Sequence, residues 1–352
     1  MKALVLAGGL GTRLRPFSYS TAKQLIPVAN KPVLHYGLEA VRDAGITDVG
    51  IVVGGTAEQI RESVGSGERF GLSVTYIAQE VPMGLAHCVA IAQDFLGDDD
   101  FVMYLGDNLV LGGIQGVVDA FRGARPAATL MVGKVGNPAE YGIAQVDGAD
   151  RVTAVAEKSP EPFSDLAIVG VYVFSPTVHE AVRRNALGSR GEYEITDAIG
   201  WLIDHGHPVT AHTCADYWRD TGRVSDLLDC NREMLRLLVP GIHGRVDADC
   251  EILGPVRIEE GARVAGSRIR GPALIGRSAV VSGSVIGPHT SVGDHCVLTD
   301  AGVEGAILLD GASVRGVPAI RDSVIGRGAV VDRADESHHL VVGDRSRVVI
   351  RS

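Results

Sequence analysis

The chain has 352 residues, 45% of them hydrophobic and 22% charged, with a net charge of −10. That length suffices for two domains and for a core that needs no disulfide support, while the acidic balance argues against a general nucleic-acid binder. The apolar runs are too short to cross a bilayer. Cys88, Cys214, Cys230, Cys250 and Cys296 lie far apart with no Cys-x-x-Cys pair, so they read as thiols and not as a zinc or disulfide framework.

The chain enters a strand directly, with no charged leader or cleavage site, and we expect a cytoplasmic protein with no membrane partner. Any anionic ligand of so acidic a chain must be held by local cations. Of its 33 basic residues only Lys2, Lys23, Lys31, Lys134 and Lys158 are Lys. In an Arg-rich chain these mark positions where a compact ammonium is needed in place of a planar guanidinium.

The first predicted strand, Lys2–Ala7, empties into Gly8-Gly9-Leu10-Gly11-Thr12-Arg13-Leu14-Arg15-Pro16. Glycines there let backbone N–H groups approach an anion closely. The P-loop pattern is absent, and Leu14 stands where a dinucleotide fingerprint has its third glycine. Further strands are expected at Val49–Val53, Val74–Ala78, Phe101–Leu105, Ala128–Gly133 and Ile168–Phe174. Helices are expected at Pro32–Ala44, Ala57–Val64, Gly84–Phe95 and Gly113–Phe121, with Gly45 stopping the first. Apolar strands alternating with helices imply an α/β fold: a Rossmann-like, mixed but mostly parallel sheet flanked by helices. Its ligands should lie beyond the C-terminal strand ends.

Thr221–Val239 reads as an amphipathic linker helix that stops at Pro240-Gly241. Beyond it the pattern changes. Within the segments Ile258/Val264, Ile275/Val281, Ile286/Val292/Leu298 and Ile325/Val331 an aliphatic residue repeats every six, often followed by Gly. A hexapeptide period predicts a parallel β-helix, with the repeat blurred near 266–272 and 300–322. We divide the chain into a first domain, 1–240, and a β-helix domain, 241–352. The β-helix offers a flat aliphatic flank, and we expect a homo-oligomer. The last apolar runs, Leu340–Val342 and Val348–Ile350, have no evident partner.

Several polar groups sit on the expected ligand edge. Asp107 directly follows the strand Phe101–Leu105, and Asp220 lies in Trp218-Arg219-Asp220-Thr221-Gly222; either could serve as a helix cap. Two carboxylates converging beside a triphosphate would suit Mg2+, which completes its octahedron with phosphate oxygens and water. Glu157-Lys158 and Arg190-Gly191-Glu192 suggest a second anion pocket, against the alternative of solvated ion pairs. Gln79 ends another strand, and its amide can donate and accept in one plane, as a pyrimidine edge requires.

Taken together, Gly8-Gly9-x-Gly11-Thr12-Arg13-Leu14, Lys23-Gln24-Leu25-Ile26-Pro27-Val28, Gln79 with Pro82-x-Gly84-Leu85-Ala86, Gly106-Asp107-Asn108, Tyr141-Gly142, Glu157-Lys158, Arg190-Gly-Glu and Trp218-x-Asp220-Thr-Gly222 resemble the sugar-1-phosphate nucleotidyltransferase family. The likeness is greatest to thymidylyl-transferring members in the long form with a C-terminal left-handed β-helix. It departs from the family at Ser159, where Pro usually follows the Glu-Lys pair, and at Arg219, where an apolar residue often precedes the second Asp.

The resemblance implies Mg-dependent transfer from dTTP to glucose 1-phosphate, giving dTDP-glucose and pyrophosphate. It gives Gly8, Gly9, Gly11, Thr12 and Arg13 the triphosphate, Lys23 the α-phosphate, and Gln24, Gln79 and Gly84 the nucleotide base. Asp107 and Asp220 become metal ligands. Asn108, Tyr141, Gly142, Glu157 and Val169 fall to the sugar, and Lys158 and Arg190 to its phosphate. Alternatives are the same chemistry with UTP or another sugar 1-phosphate, a β-helix that adds acyl transfer, and a non-catalytic nucleotide-sugar-binding regulatory subunit.

Overall fold

A computed structural model of the chain describes residues 1–188 and 190–333. It resolves into two compact units. Met1–Leu10, Thr21–Leu25 and Val33–Asp220 form the first; Gly11–Ser20, Ile26–Pro32 and the chain from Thr221 onward form the second.

The first unit is built on a nine-stranded sheet. Lys2–Leu6 lies between Asp48–Val53 and Phe101–Leu105 and runs parallel to both. Ser73–Ala78 extends the sheet in parallel beyond Asp48–Val53. On the other side the direction reverses at Leu166–Phe174, which pairs antiparallel with Phe101–Leu105, Ala128–Lys134 and Gly142–Val146. A hairpin of Gly142–Val146 with Val152–Glu157 closes that edge.

Side chains of the central strand alternate between two cores. Ala3, Val5 and Ala7 pack with Leu34, Leu38 and Val41 of the helix Val33–Asp43 and with Val117, Val118 and Phe121 of Gln115–Ala124. Leu4 and Leu6 face Ala86, Cys88 and Val89 of Leu85–Ile91 and Ile195, Ala198 and Leu202 of Ile195–Asp204. The unbroken apolar run Ala3–Ala7 is thus explained by helices on both faces. Full burial of a Leu, Ile, Val or Phe side chain there contributes about 1.5–3 kcal/mol.

The elements differ from the sequence reading where local signals are short. The helix expected over Gly84–Phe95 breaks at Ala92, which takes φ −88° and ψ 2° between Leu85–Ile91 and Gln93–Leu96. Asn108–Val110 and Trp218–Asp220, three-residue strands paired antiparallel, carry too few residues to show a period. They overturn the capping alternatives for the two aspartates. Asp107 sits in the turn between two strands, Asp220 ends a strand, and the helix after it begins at Val224 with Arg223 as its N-cap.

The second unit carries a left-handed parallel β-helix whose strands stack into sheets of six, six and five. Ile258, Val264, Ile275, Val281, Ile286, Val292 and Leu298 are all 0–1% exposed and form its interior column. The coils continue through the stretch where the repeat is blurred, at Arg268–Arg270 and Gly302–Glu304. The helix Val224–Arg236 packs against the strands Thr290–Val292 and Pro27–Val28. Asn231 is the polar joint there: its Oδ1 accepts from Ala29 N at 2.9 Å and Ser291 Oγ at 2.9 Å, and its Nδ2 donates to His289 O at 3.2 Å. The runs Leu340–Val342 and Val348–Ile350 lie outside the described residues.

Candidate active site

In the first unit, the loops after the parallel strands surround a cleft of about 290 Å³. Its lining includes Gly8, Gly9, Lys23, Gln24, Gln79, Gly84, Asp107, Glu157, Lys158 and Arg190, joined by Cys88 and Glu194. Four reach it from strand ends, Gly8 beyond Lys2–Leu6, Gln79 beyond Ser73–Ala78, Asp107 beyond Phe101–Leu105 and Glu157 at the end of Val152–Glu157, while Lys23 and Gln24 come from the 3-10 turn Lys23–Leu25 and Arg190 and Glu194 from the segment before the helix Ile195–Asp204.

Lys23 Nζ forms an ion pair with Asp107 Oδ2, with the two side chains 19% and 13% exposed. The pair needs Gly9: a Cβ there would stand 3.0 Å from Lys23 Cε and 3.2 Å from Nζ. Gln24 is 1% exposed, and its Oε1 is buried with no partner among the described residues. A buried acceptor of that kind calls for a donor from a ligand or water. Asp220 pairs in register with Asn108, the neighbour of Asp107, so the antiparallel strands set the two aspartates at adjacent positions. Arg219, alternating with them, lines a separate open cavity with Lys134, Asp147 and Trp218.

The second cation set is held by carboxylates. Arg190 Nη2 lies 2.6 Å from Glu194 Oε1 and 3.2 Å from Glu157 Oε1, while Lys158 Nζ lies 3.5 Å from Glu157. Burial raises the Glu194 carboxyl above its ordinary range, with Arg190 pulling the other way and Glu157 adding to the rise. Burial also raises Asp197 nearby, opposed by Arg190. Lys158 adopts φ +42°, a left-handed conformation rare for a side-chain-bearing residue, and its N–H donates to Tyr141 O at 3.0 Å. Tyr141 packs edge-on to Trp218 with ring centres 5.7 Å apart.

The loop around Gly84 is tied to the same segment. Tyr193 N donates to Met83 O at 2.8 Å, and Ala86 N donates to Tyr193 O at 3.0 Å. Gly84 itself has φ +99°, and a Cβ there would come within 2.5 Å of Tyr193 O.

Other residues implied by the resemblance lie elsewhere. Val169 is fully buried in the hydrophobic core. Asn108 is 2% exposed, and its carbonyl accepts from Tyr104 Oη at 2.9 Å. Gly142 pairs with Glu157 across the hairpin. Gly11, Thr12 and Arg13 belong to the second unit, Gly11 at φ +62° preceding the 3-10 turn Thr12–Leu14. The sequence reading carries Glu194 only within the stretch Arg190-Gly-Glu-x-Glu-Ile-Thr-Asp197, with no role of its own, and Cys88 only as a thiol. The i,i+4 spacing from Arg190 is the trace of the first, and a buried thiol reads as plain core.

Residues 2–236 match the model of the nucleotidyl transferase family. The chain is 53% identical over 355 residues to a glucose-1-phosphate thymidylyltransferase of Streptomyces griseus, covering 100% of both chains. A protein of the same name from Streptomyces antibioticus is 52% identical, again over 100% of both. A crystal structure from Bacillus anthracis, assigned as a glucose-1-phosphate thymidylyltransferase in complex with a sucrose, superposes with a TM-score of 0.62 at 31% identity, covering 66% of this chain and 94% of that one. No helix among the described residues is long and apolar enough to cross a membrane. With a parallel-sheet cleft of paired cations and carboxylates and relatives matched end to end, the chain belongs to the nucleotidyl transferase family, among the glucose-1-phosphate thymidylyltransferases.

Proposed function

We propose that the chain transfers a thymidylyl group from dTTP to glucose 1-phosphate, releasing pyrophosphate and forming dTDP-glucose. The observation that carries this reading is the convergence of Lys23 and Asp107 with Lys158 and Arg190 in one cleft at the C-terminal strand ends. Two phosphate-bearing substrates need two cation sets, and here they hang on different parts of the sheet. The relatives named for this activity support the choice of substrates.

The chemistry asks little of acid–base groups. A sugar phosphate is largely a dianion near neutral pH, its second pKa being about 6. Its oxygen attacks the α-phosphorus of dTTP, a new P–O bond forms, and the bond to the β-phosphate breaks with pyrophosphate leaving in line. The protein's part is to position two anions and offset their repulsion. Lys23 would neutralise charge on the α-phosphate, and Lys158 and Arg190 would hold the sugar phosphate. Gln79 and Gly84 would face the base.

Asp220, ending a strand, and Asp107, in the turn next to its register partner Asn108, would offer two carboxylates to a cation, a donor type that suits Mg2+ beside phosphate oxygens. When bound, such a cation neutralises phosphate oxygens and orients them. A pyrophosphate-release assay over the nucleoside triphosphates, with glucose 1-phosphate and its galactose, mannose and glucosamine analogues, tests the proposal. Turnover should be fastest with dTTP and glucose 1-phosphate; absence of turnover with every pair would overturn it.

A further inference from the structure

Asp107 sits between two backbone anchors. On one side Gly106 N donates to Leu6 O at 2.9 Å, carrying the parallel ladder one residue past the strand Phe101–Leu105. On the other, the carbonyl of Asn108 accepts from Tyr104 Oη at 2.9 Å. A phenol keeps its proton at any working pH and a carbonyl can only accept, so this bond has one direction.

The strand pairing makes that carbonyl available. Leu111 N donates to Tyr217 O at 3.0 Å, and the register runs on through Leu109–Arg219 to Asn108–Asp220. Hydrogen-bonded and open pairs alternate along antiparallel strands. Leu111–Tyr217 is a bonded pair, so Asn108–Asp220 is an open one, and the Asn108 carbonyl turns away from the partner strand. Asn108 is buried, which makes water a poor substitute for a protein donor. Tyr104 meets the carbonyl from the core. Its ring is fully buried and lies against Gly37 of the helix Val33–Asp43, where a Cβ would come within 2.6 Å of Tyr104 Cε1. A ring packed that closely holds its hydroxyl in one place.

We propose that Tyr104 is a positioning residue: its hydroxyl pins the Asn108 carbonyl and thereby sets the Asp107 carboxylate for a divalent cation. This rests on reading Asp107 and Asp220 as the cation's ligands.

The test is calorimetric titration with dTTP, without sugar phosphate, once in Mn2+ as a stand-in for Mg2+ and once in chelator. The quantity read is the metal gain, the Kd in chelator divided by the Kd in Mn2+. Tyr104→Phe keeps the ring and deletes the hydroxyl. Its metal gain should fall by about fivefold or more, while the Kd in chelator stays within about twofold of the parent. A hydroxyl that served only the fold would lower Tm and leave the gain untouched. Tyr76→Phe is the matched control: it deletes a hydroxyl that donates to Gly65 O at 2.7 Å outside the cleft, and it should keep the parental gain.

A parental gain in Tyr104→Phe, or an equal fall in Tyr76→Phe, overturns the proposal. If Tyr104→Phe does not fold, Gly37→Ala decides, since it keeps the hydroxyl and forces the ring aside. Its gain should fall, and a parental gain there overturns the proposal; failure of both variants to fold makes the contact a structural one and overturns it as well. A gain in the unmodified protein that Tyr104→Phe retains sinks this inference alone. No gain in the unmodified protein sinks the cation reading and this inference with it.

Discussion

Lys23 and Asp107 neutralise each other inside the cleft, from positions 84 residues apart in the chain. Each holds the other where a triphosphate is to be received, and both are withdrawn from water, so the pair is screened far less than a surface one. Removing the ammonium would take away the ion pair with Asp107 and the cation proposed to meet the α-phosphate. Lys23→Ala should lower kcat by about 10²–10³-fold with the fold intact by circular dichroism. Lys23→Arg should not restore the rate, because a planar guanidinium does not reproduce the compact point charge of an ammonium. Near-normal turnover in either variant would remove Lys23 from the mechanism.

Asp220→Ala should likewise abolish turnover while the protein stays folded. Chelation of divalent cations from the unmodified protein should stop the reaction, and added Mg2+ should restore it. Full activity after exhaustive dialysis against chelator would argue that the two aspartates have another task.

Gly9→Ala and Gly84→Ala should separate function from stability. The first meets only the flexible end of Lys23, so Tm should hold while kcat falls. The second meets backbone at Tyr193 and forces a side chain into φ +99°, which costs about 1–3 kcal/mol. Differential scanning calorimetry beside steady-state kinetics distinguishes them; the same Tm loss in both would contradict the assigned contacts.

Glu194 gives a pH dependence whose sign can be worked out. Its carboxyl titrates higher in the folded protein, chiefly through burial, so the folded state keeps the proton to higher pH than the unfolded chain. Its contribution to stability is whole below the unfolded value of about 4.3 and is lost as pH rises through the folded one. Glu194→Gln stays neutral throughout. The Tm of the variant relative to the parent should therefore climb as pH rises above that value, and a flat difference would refute the shift.

In the second unit, Asn231→Leu should remove three hydrogen bonds and strand the buried Ser291 hydroxyl. A loss of about 1–3 kcal/mol for each buried group left unpaired is expected. Thermal unfolding followed by circular dichroism would register it, and an unchanged transition would show that water replaces the amide.

The sequence by itself determined the elements with long or repeated patterns. The apolar runs Ala3–Leu6 and Phe101–Leu105 announce a sheet covered on both faces, and the aliphatic column from Ile258 to Leu298 announces stacked coils, because burial imposes a period on whatever is buried. It also marked Asp107 as a carboxylate after a strand, Gln79 as an amide suited to a base edge, and Lys23, Glu157, Lys158 and Arg190 by residue type and by the family resemblance. Tertiary structure decided what depends on pairing across distance. The three-residue strands that set Asp220 beside Asn108 carry no local period, and a hydrogen bond between Gln79 and Cys88 leaves no trace in spacing. Local chemistry fixes which groups are available; register and close packing fix which of them meet and which way each one faces.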